Sequence, residues 1–440
     1  MLPGRRSETR SQRSAESLAA PRLRDVARAV GGLTMRILYV ISGLGPGGAE
    51  KQVVELAREL SARRHAVAIY ALTRDVSRAI ELAGSGVTLV VDPKRAKLDG
   101  RVLWRLRRML RRWRPDVVHG VLYDGNFYAR LAAFGSGIPV LNSERSNGYV
   151  LTPLQRIAQR LTRACADGVV ANTYGGAAFA QRLFNLPSDR IHVVWNGIRI
   201  DELERRAESP LDYRAVFFGE TQVRLACLVG SIRPIKDYRL ALETAAHLLA
   251  LDPRWRVLFI GDSLAATGGY QVRAAADSGS YKVEVLAHYA RLGLEDRIRF
   301  GGLRDDVPAI VRQCDVLFVT SVNEGFPNVV LEAMALGVPV VSTDYSDIRR
   351  ILPLERQVVA TRDGAAMARA ILWAASQREA LAPRQRDWVR AHATIDRAAA
   401  RLEEVYLRYV EARRMRVGRS MGAADAHGPA GASARVEHER

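Results

Sequence analysis

The chain has 440 residues, room for two or three domains, and an apolar share of 48% is enough to give each a core. Its 66 basic residues exceed the 47 acidic ones by 19, and only five of the 66 are lysine. Cys165, Cys227 and Cys314 are far apart in apolar stretches, and no run approaches the roughly 20 apolar residues that span a bilayer. Disulfide-knot, collagen-like, integral-membrane and wholly disordered readings are therefore set aside.

Residues 1–34 carry seven Arg against three acids, end in Gly31-Gly32, and lack the apolar run of a secretory signal. They read as a disordered basic tail, with the Arg- and Ser-rich composition of a transit peptide, or as sequence ahead of a start at Met35. Arg36–Ile41 is a buried-type strand, followed by Gly43-x-Gly45-x-x-Gly48 and a helix to about Arg64. That spacing satisfies a dinucleotide fingerprint, but the supporting acid is missing at the end of the next strand, where Asp75 comes late, and Pro46 removes an N–H from the turn. It supports only a close backbone approach to a phosphate or sugar. Further strands are expected at Ala66–Leu72, Val87–Val91, Asp116–His119, Pro139–Leu141, Gly168–Ala171 and Ile191–Trp195.

Between Lys94 and Arg114, ten Lys/Arg face a single acid, Asp99. Leu98, Val102, Leu103, Leu106, Met109, Leu110 and Trp113 form an apolar stripe at helical spacing, with Arg101, Arg105, Arg108 and Arg112 beside it. Trp104 falls opposite the apolar stripe, among arginines. This predicts a core-packed helix whose outer face is either merely solvated or meets an anionic membrane; no aromatic platform favours nucleic acid.

Residues 201–222 read as a connector. A second strand series follows at Leu225–Gly230, Arg256–Gly261, Arg297–Phe300, Val316–Thr320 and Val338–Ser342. The fold class is α/β: two doubly wound, Rossmann-like domains, with ligands expected at the carboxyl ends of strands and in the cleft between. The expected division is a tail at 1–34, an N-terminal domain at 35–200 with a returning helix at 395–412, a C-terminal domain at 201–394, and a disordered tail at 413–440.

The most informative segment begins after Val316–Thr320. Glu324 sits in a loop with Gly325, a helix begins near Asn328, and Glu332 lies about one turn into it. Loop N–H groups and a helix start favour a negatively charged group, and two carboxylates accept from sugar hydroxyls; alternatively, the acids merely favour a helix start. EGFPNVVLE followed by AMALGVPVVSTD strongly resembles the retaining GT-B glycosyltransferases of family 4. The resemblance runs from Met35 to about Arg413, through PDVVHGVLYDGN, ADGVVANTYGG, IHVVWNGI, LVGSIRPIK and RIRFGGLRDDVPAIVRQCDVLFVTS in family order.

By that resemblance, Glu332 would hold the ribose of a nucleoside-diphosphate sugar and Glu324 the donor sugar. Gly325, Phe326, Pro327, Asn328 and Val329 would offer their backbone, as would Gly47 and Gly48 of the glycine loop. Arg233 and Lys236, after Ser231, would clamp the diphosphate, and the loop holding Leu303 would cradle the base. His119 would face the cleft near donor and acceptor. Tyr123, Asp124, Asn126 and Arg145 are the acceptor-side candidates, within Tyr123 to Arg130 and Glu144 to Val150. The sequence departs from the family at Ser231, commonly Arg; at Val121, often a second histidine; at 345–348; and in a long, Gly-rich 263–282, expected as a mobile loop.

The implied activity is hexosyl transfer with retention, without metal or other cofactor, to a saccharide or lipid-linked acceptor in cell-surface polysaccharide or glycolipid assembly. The implied setting is cytoplasmic, peripheral on the inner membrane face. A nucleotide-sugar epimerase of the same build and a non-catalytic membrane-associated scaffold are the rivals.

Overall fold

Among the residues described by the computed structural model (34–145, 152–261 and 271–425), thirteen strands form two all-parallel sheets. The first contains β1 (Arg36–Ile41), β2 (Ala66–Ala71), β3 (Thr88–Val91), β4 (Val117–Val121), β5 (Val140–Glu144), β6 (Gly168–Ala171) and β7 (Ile191–Val193), ordered β3-β2-β1-β4-β5-β6-β7. The second contains β8 (Arg224–Val229), β9 (Trp255–Ile260), β10 (Ile298–Phe300), β11 (Val316–Val319), β12 (Val340–Thr343) and β13 (Val358–Val359), ordered β10-β9-β8-β11-β12-β13. Only β13 escaped the sequence reading, because two residues carry no periodicity. Strand order reverses between β1 and β4 and between β8 and β11, so each sheet opens a crevice there.

The first sheet's helices are α1 (Gly48–Ala62), α2 (Gly100–Trp113), α3 (Leu122–Ala133), α4 (Pro153–Thr162) and α5 (Tyr174–Phe184). A connector of α6 (Ile200–Arg206) and α7 (Tyr213–Phe218) leads to α8 (Tyr238–Leu251), α9 (Gln271–Leu292), α10 (Val307–Gln313), α11 (Asn328–Ala335), α12 (Ile348–Ile351), α13 (Gly364–Ser376), α14 (Arg378–His392) and α15 (Ile395–Asp425). Helices cover both faces, which is why the strands are apolar throughout rather than alternating. On β1, Ile37, Tyr39 and Ile41 pack with α1 and α15, while Leu38 and Val40 pack with α2 and α3.

The returning helix therefore docks on the first sheet as expected: Ala399, Leu402 and Tyr406 are buried there. The chain crosses between the units at two adjacent points, where Ile198 bridges Thr394. A Cβ on Gly197 would stand 2.6 Å from the Ile395 Cα, so this crossing requires glycine.

Three expectations change. Leu98 is exposed and lies ahead of α2, whose start is set by Asp99 accepting from the Arg101 N–H; the buried stripe is Val102, Leu106 and Leu110. The stretch expected to be disordered from residue 413 is helical through Asp425. The expected loop at 263–282 is helical from Gln271, the start of α9. Residues 1–33, 146–151, 262–270 and 426–440, with the expected basic tail, the first part of the expected 263–282 loop and the end of the C-terminal tail, lie outside the described residues.

Candidate active site

The carboxyl ends of β8 and β11 carry two loops that are tied together. The Val322 N–H donates to the Ile235 carbonyl (2.8 Å), and the Thr320 hydroxyl donates to the Lys236 carbonyl (2.8 Å). This brings Lys236 Nζ to 2.7 Å from Glu324 Oε1, across 88 residues of sequence. The Ser321 hydroxyl donates to the same Glu324 oxygen, and the Thr343 hydroxyl holds the Ser321 carbonyl at 2.7 Å. The carboxylate is thus oriented by a cation and a hydroxyl. Arg233, half-buried in the same loop, makes no ion pair with any described residue. Ser231 lies just beyond β8, and Leu303 is exposed on the loop after β10.

Opposite these loops stands the glycine loop of the first unit. Asn328, at the start of α11, accepts from Asn196 Nδ2 (2.7 Å) and reaches the Gly48 carbonyl at 3.4 Å. Lys51, in the first turn of α1, makes a 2.6 Å ion pair with Glu332. The helix starts of α1 and α11 therefore face each other across the cleft. Gly47 precedes α1, and a Cβ there would fall 2.2 Å from a Glu50 carboxylate oxygen. Gly43 and Gly45 lie against Thr73 and Asp75: a Cβ on Gly43 would meet the Thr73 hydroxyl at 2.5 Å and the Asp75 carbonyl oxygen at 2.8 Å, and one on Gly45 the Asp75 carboxylate at 2.5 Å. The acid that arrives late for a dinucleotide motif thus packs against the loop itself.

Gly325 makes the closest cross-cleft approach, for its Cβ would stand 2.1 Å from the Arg145 carbonyl oxygen. Phe326 is buried against Trp195, Pro327 precedes α11, and Val329 is half-buried, so this segment offers chiefly backbone. Arg145 donates to the Ser143 hydroxyl (3.0 Å) and to Asn196 Oδ1 (2.9 Å), and burial pulls its pKa down.

Among the acceptor-side candidates, Asp124 pairs with Lys94, and the Tyr123 hydroxyl donates to the Gln155 carbonyl of α4 (3.3 Å). Asn126 departs from its expected role. Its amide accepts from the Ser143 N–H (3.1 Å) and donates to the Ser143 carbonyl (3.0 Å), stapling α3 to β5. The remainder of the expected Glu144 to Val150 segment, from residue 146 on, is outside the described residues.

His119 is fully buried in mid-β4, its Nδ1 2.6 Å from the Tyr406 hydroxyl, which donates to the Tyr39 hydroxyl (3.0 Å). Its Nε2 has no hydrogen-bond partner among the described residues. Burial, and then the Arg145 charge, pull its pKa down to about 3. The imidazole is therefore neutral through the physiological range. An unfolded chain takes up that proton near 6.5 while the fold refuses it until about 3. The contribution is complete above pH 6.5 and is lost as pH falls toward 3, by up to about 1.4 kcal/mol per pH unit. The thermal midpoint should fall between pH 6.5 and 5, and His119→Asn should flatten that slope; an unchanged slope would refute the assignment.

The sequence reading missed Lys51, Ser321, Asn172, Asn196 and Asp347 as site-forming residues. Asp347, buried ahead of α12, accepts from the backbone of Tyr174 (2.9 Å) and from Trp195 Nε1 (3.0 Å), pinning one unit to the other. In a chain that overwhelmingly uses arginine, Lys51, Lys94 and Lys236 each pair with a candidate carboxylate.

Residues 46–202 match the model for Glycosyltransferase Family 4, and residues 223–377 match that for Glycosyl transferases group 1. Between them the two models take in well over half of the chain. This protein is a family 4, group 1 glycosyltransferase. It is 28% identical over 346 residues to the D-inositol 3-phosphate glycosyltransferase of Streptomyces bingchenggensis, covering 72% of each chain. It is 27% identical over 404 residues to that of Streptomyces avermitilis, covering 84% of this chain and 85% of the other. Among solved structures, Anabaena HepE in complex with UDP and glucose superposes with a TM-score of 0.68 at 19% identity, covering 84% of this chain and 98% of that one. A Rickettsia africae glycosyltransferase superposes with a TM-score of 0.71 at 16% identity, covering 86% and 99%. These structures establish the GT-B fold for the glycosyltransferase, and transferase activity replaces the epimerase and scaffold readings. Among its described residues no helix is long and apolar enough to cross a membrane.

Proposed function

We propose that this glycosyltransferase moves a hexosyl group from a nucleoside-diphosphate sugar to an acceptor hydroxyl with retention at the anomeric carbon, in cell-surface polysaccharide or glycolipid assembly. The observation that carries the reading is the Lys236–Glu324 pair, held at 2.7 Å on the loops that face the glycine turn. Lys236 and Arg233 supply positive charge where a leaving diphosphate gains negative charge, and Glu324 and Glu332 supply acceptors for sugar and ribose hydroxyls. Glu332 must exchange Lys51 for the ribose, and Asn328 brings the α11 start to the donor. No side chain needs to form a covalent adduct: the departing phosphate oxygen takes the acceptor proton while the cleft holds both partners in line. His119, neutral and sealed within β4 rather than open to the cleft, is not suited to carry a proton. UDP in the HepE structure makes uracil the first base to try. The relatives' name adds a phosphorylated cyclitol to the acceptors worth trying.

A calorimetric screen of UDP-, GDP- and ADP-sugars tests the donor, and NMR of the product's anomeric configuration tests retention. Failure of all three donors, or an inverted product, would overturn the corresponding part. Because Lys236 and Arg233 carry the diphosphate charge in this scheme, turnover should survive EDTA within about twofold. Loss of turnover with EDTA, restored by a divalent cation, would transfer that role to a metal.

The basic helix α2 is assigned to an anionic membrane surface on the cytoplasmic side. Trp104 is exposed with the Arg108 guanidinium 5.4 Å from its ring, while Arg105 is taken by Asp92 (2.6 Å). These features support the reading of a peripheral protein acting on a lipid-linked acceptor.

A further inference from the structure

Helix α4 is packed inside out. Its start is well specified: Thr152 and Gln155 form a reciprocal capping box, and Pro153 occupies the first turn. An amphipathic helix ordinarily buries its aliphatic stripe and exposes its amides. Here Gln159 is only 3% exposed and Thr162 only 7%, with Gln159 accepting from the buried Arg130 at 2.8 Å. Leu154, Ile157 and Leu161, spaced to share one side of the helix, are 71%, 55% and 76% exposed. Arg156 and Arg160 are exposed on the adjoining flank. Local propensity does not account for this arrangement, and water gains nothing from three aliphatic side chains in a row.

We infer that α4 is a membrane-inserting element: Leu154, Ile157 and Leu161 enter the acyl boundary of an anionic bilayer while Arg156 and Arg160 meet its headgroups. Charge chooses the occupant. A second copy seated on the stripe would bring these arginines against their own equivalents in a chain of net charge +19, whereas anionic lipid neutralises them. Position agrees. Helices α2 and α4 both pack against α3, which sets the α2 arginines and Trp104 in the same part of the first unit as the α4 stripe. A stripe running seven steps along the helix, from Leu154 to Leu161, is about 10 Å long, which suits an in-plane helix and not a spanning one. Because the Tyr123 hydroxyl bonds the α4 backbone at Gln155, insertion would set the acceptor side of the cleft against the lipid surface. The inference deepens the membrane reading of α2 and is independent of the donor chemistry.

The test is sedimentation of the full chain with vesicles of equimolar phosphatidylcholine and phosphatidylglycerol, compared with phosphatidylcholine alone. Binding to the anionic vesicles is expected. The combined Leu154→Gln, Ile157→Gln and Leu161→Gln variant should lose at least about tenfold in partitioning, with circular dichroism and UDP binding unchanged. Arg156→Gln with Arg160→Gln should weaken binding chiefly at low salt. If the triple variant binds vesicles as the parent does while Arg108→Gln with Arg111→Gln abolishes binding, α2 alone docks and the inference falls. If neither variant matters, or the parent binds no vesicle, both membrane readings fall. If instead the parent is a dimer that the triple variant converts to monomer, a second copy is the occupant and the inference is overturned. Lys236→Ala should leave vesicle binding intact, so failure of the donor reading is read separately.

Discussion

Lys236→Ala should lower donor turnover by roughly three orders of magnitude, the scale expected when a preorganised charge aimed at a leaving group is removed. Two effects combine. The diphosphate loses one of its two fixed cations, and Glu324 loses the partner that holds it at 2.7 Å. The Ser321 hydroxyl remains on that carboxylate but brings no charge. Lys236→Arg should recover only part of the loss, because the longer, planar guanidinium cannot occupy the place where the lysine stem lies 3.1 Å from a Cβ position on Gly230. The measurement is nucleoside-diphosphate release at saturating acceptor, with donor affinity by calorimetry. A drop in kcat larger than the rise in KM marks stabilisation of the departing diphosphate; an effect confined to KM marks ground-state binding alone. Near-normal turnover would remove Lys236 from the diphosphate and sink the assignment of the loop.

Gly325→Ala should cost about a hundredfold in kcat/KM while leaving the melting temperature nearly unchanged. The new methyl would sit 2.1 Å from the Arg145 carbonyl oxygen and 3.3 Å from Asn172 Nδ2, and a backbone carbonyl cannot swing aside as a side-chain end could. Each unit has its own core, so the strain is relieved by separating the units at the cleft. Glu324 and Asn328 would then sit about an ångström away from the surface they face, a displacement of the size that costs such factors in positioned chemistry. Small-angle scattering should show a larger radius of gyration for the variant than for the parent. Gly100→Ala is the control, since a Cβ there meets nothing within 4 Å; it should be neutral or slightly stabilising at the start of α2. Full activity of Gly325→Ala would show that the cross-cleft contact is dispensable.

Both predictions rest on residues that could be read at different depths. The β1–α1 unit was legible because RILYVI is aliphatic without a break and the glycine turn marks where the strand ends. Glu324 and Glu332 were legible through the family resemblance of EGFPNVVLE, since by spacing alone they fit an ordinary helix start equally well. Lys51 was not, since nothing local distinguishes a lysine in the first turn of α1 from a solvated one. Its meaning comes from Glu332, 281 residues away. Asn126 shows the converse: it looks like a free polar ligand in the sequence, yet β5 engages both ends of its amide.

The sequence by itself determined the family, the two α/β units, the candidate donor loops and the location of the charge. Residues 1–34, 94–114 and 413–440 account for +16 of the +19, leaving the remainder close to balance. The two units and the charge follow from local chemistry, burial periodicity and composition, whereas the family and the donor loops follow from the resemblance that EGFPNVVLE and the other segments carry in order. Only the tertiary structure decided which carboxylate each lysine holds, that Gly325 is demanded by a carbonyl from the other unit, and that α4 turns its aliphatic side outward. The reason is one of range. Propensity and spacing act over a few residues, whereas the face a helix buries and the partner a charge finds depend on how distant segments pack.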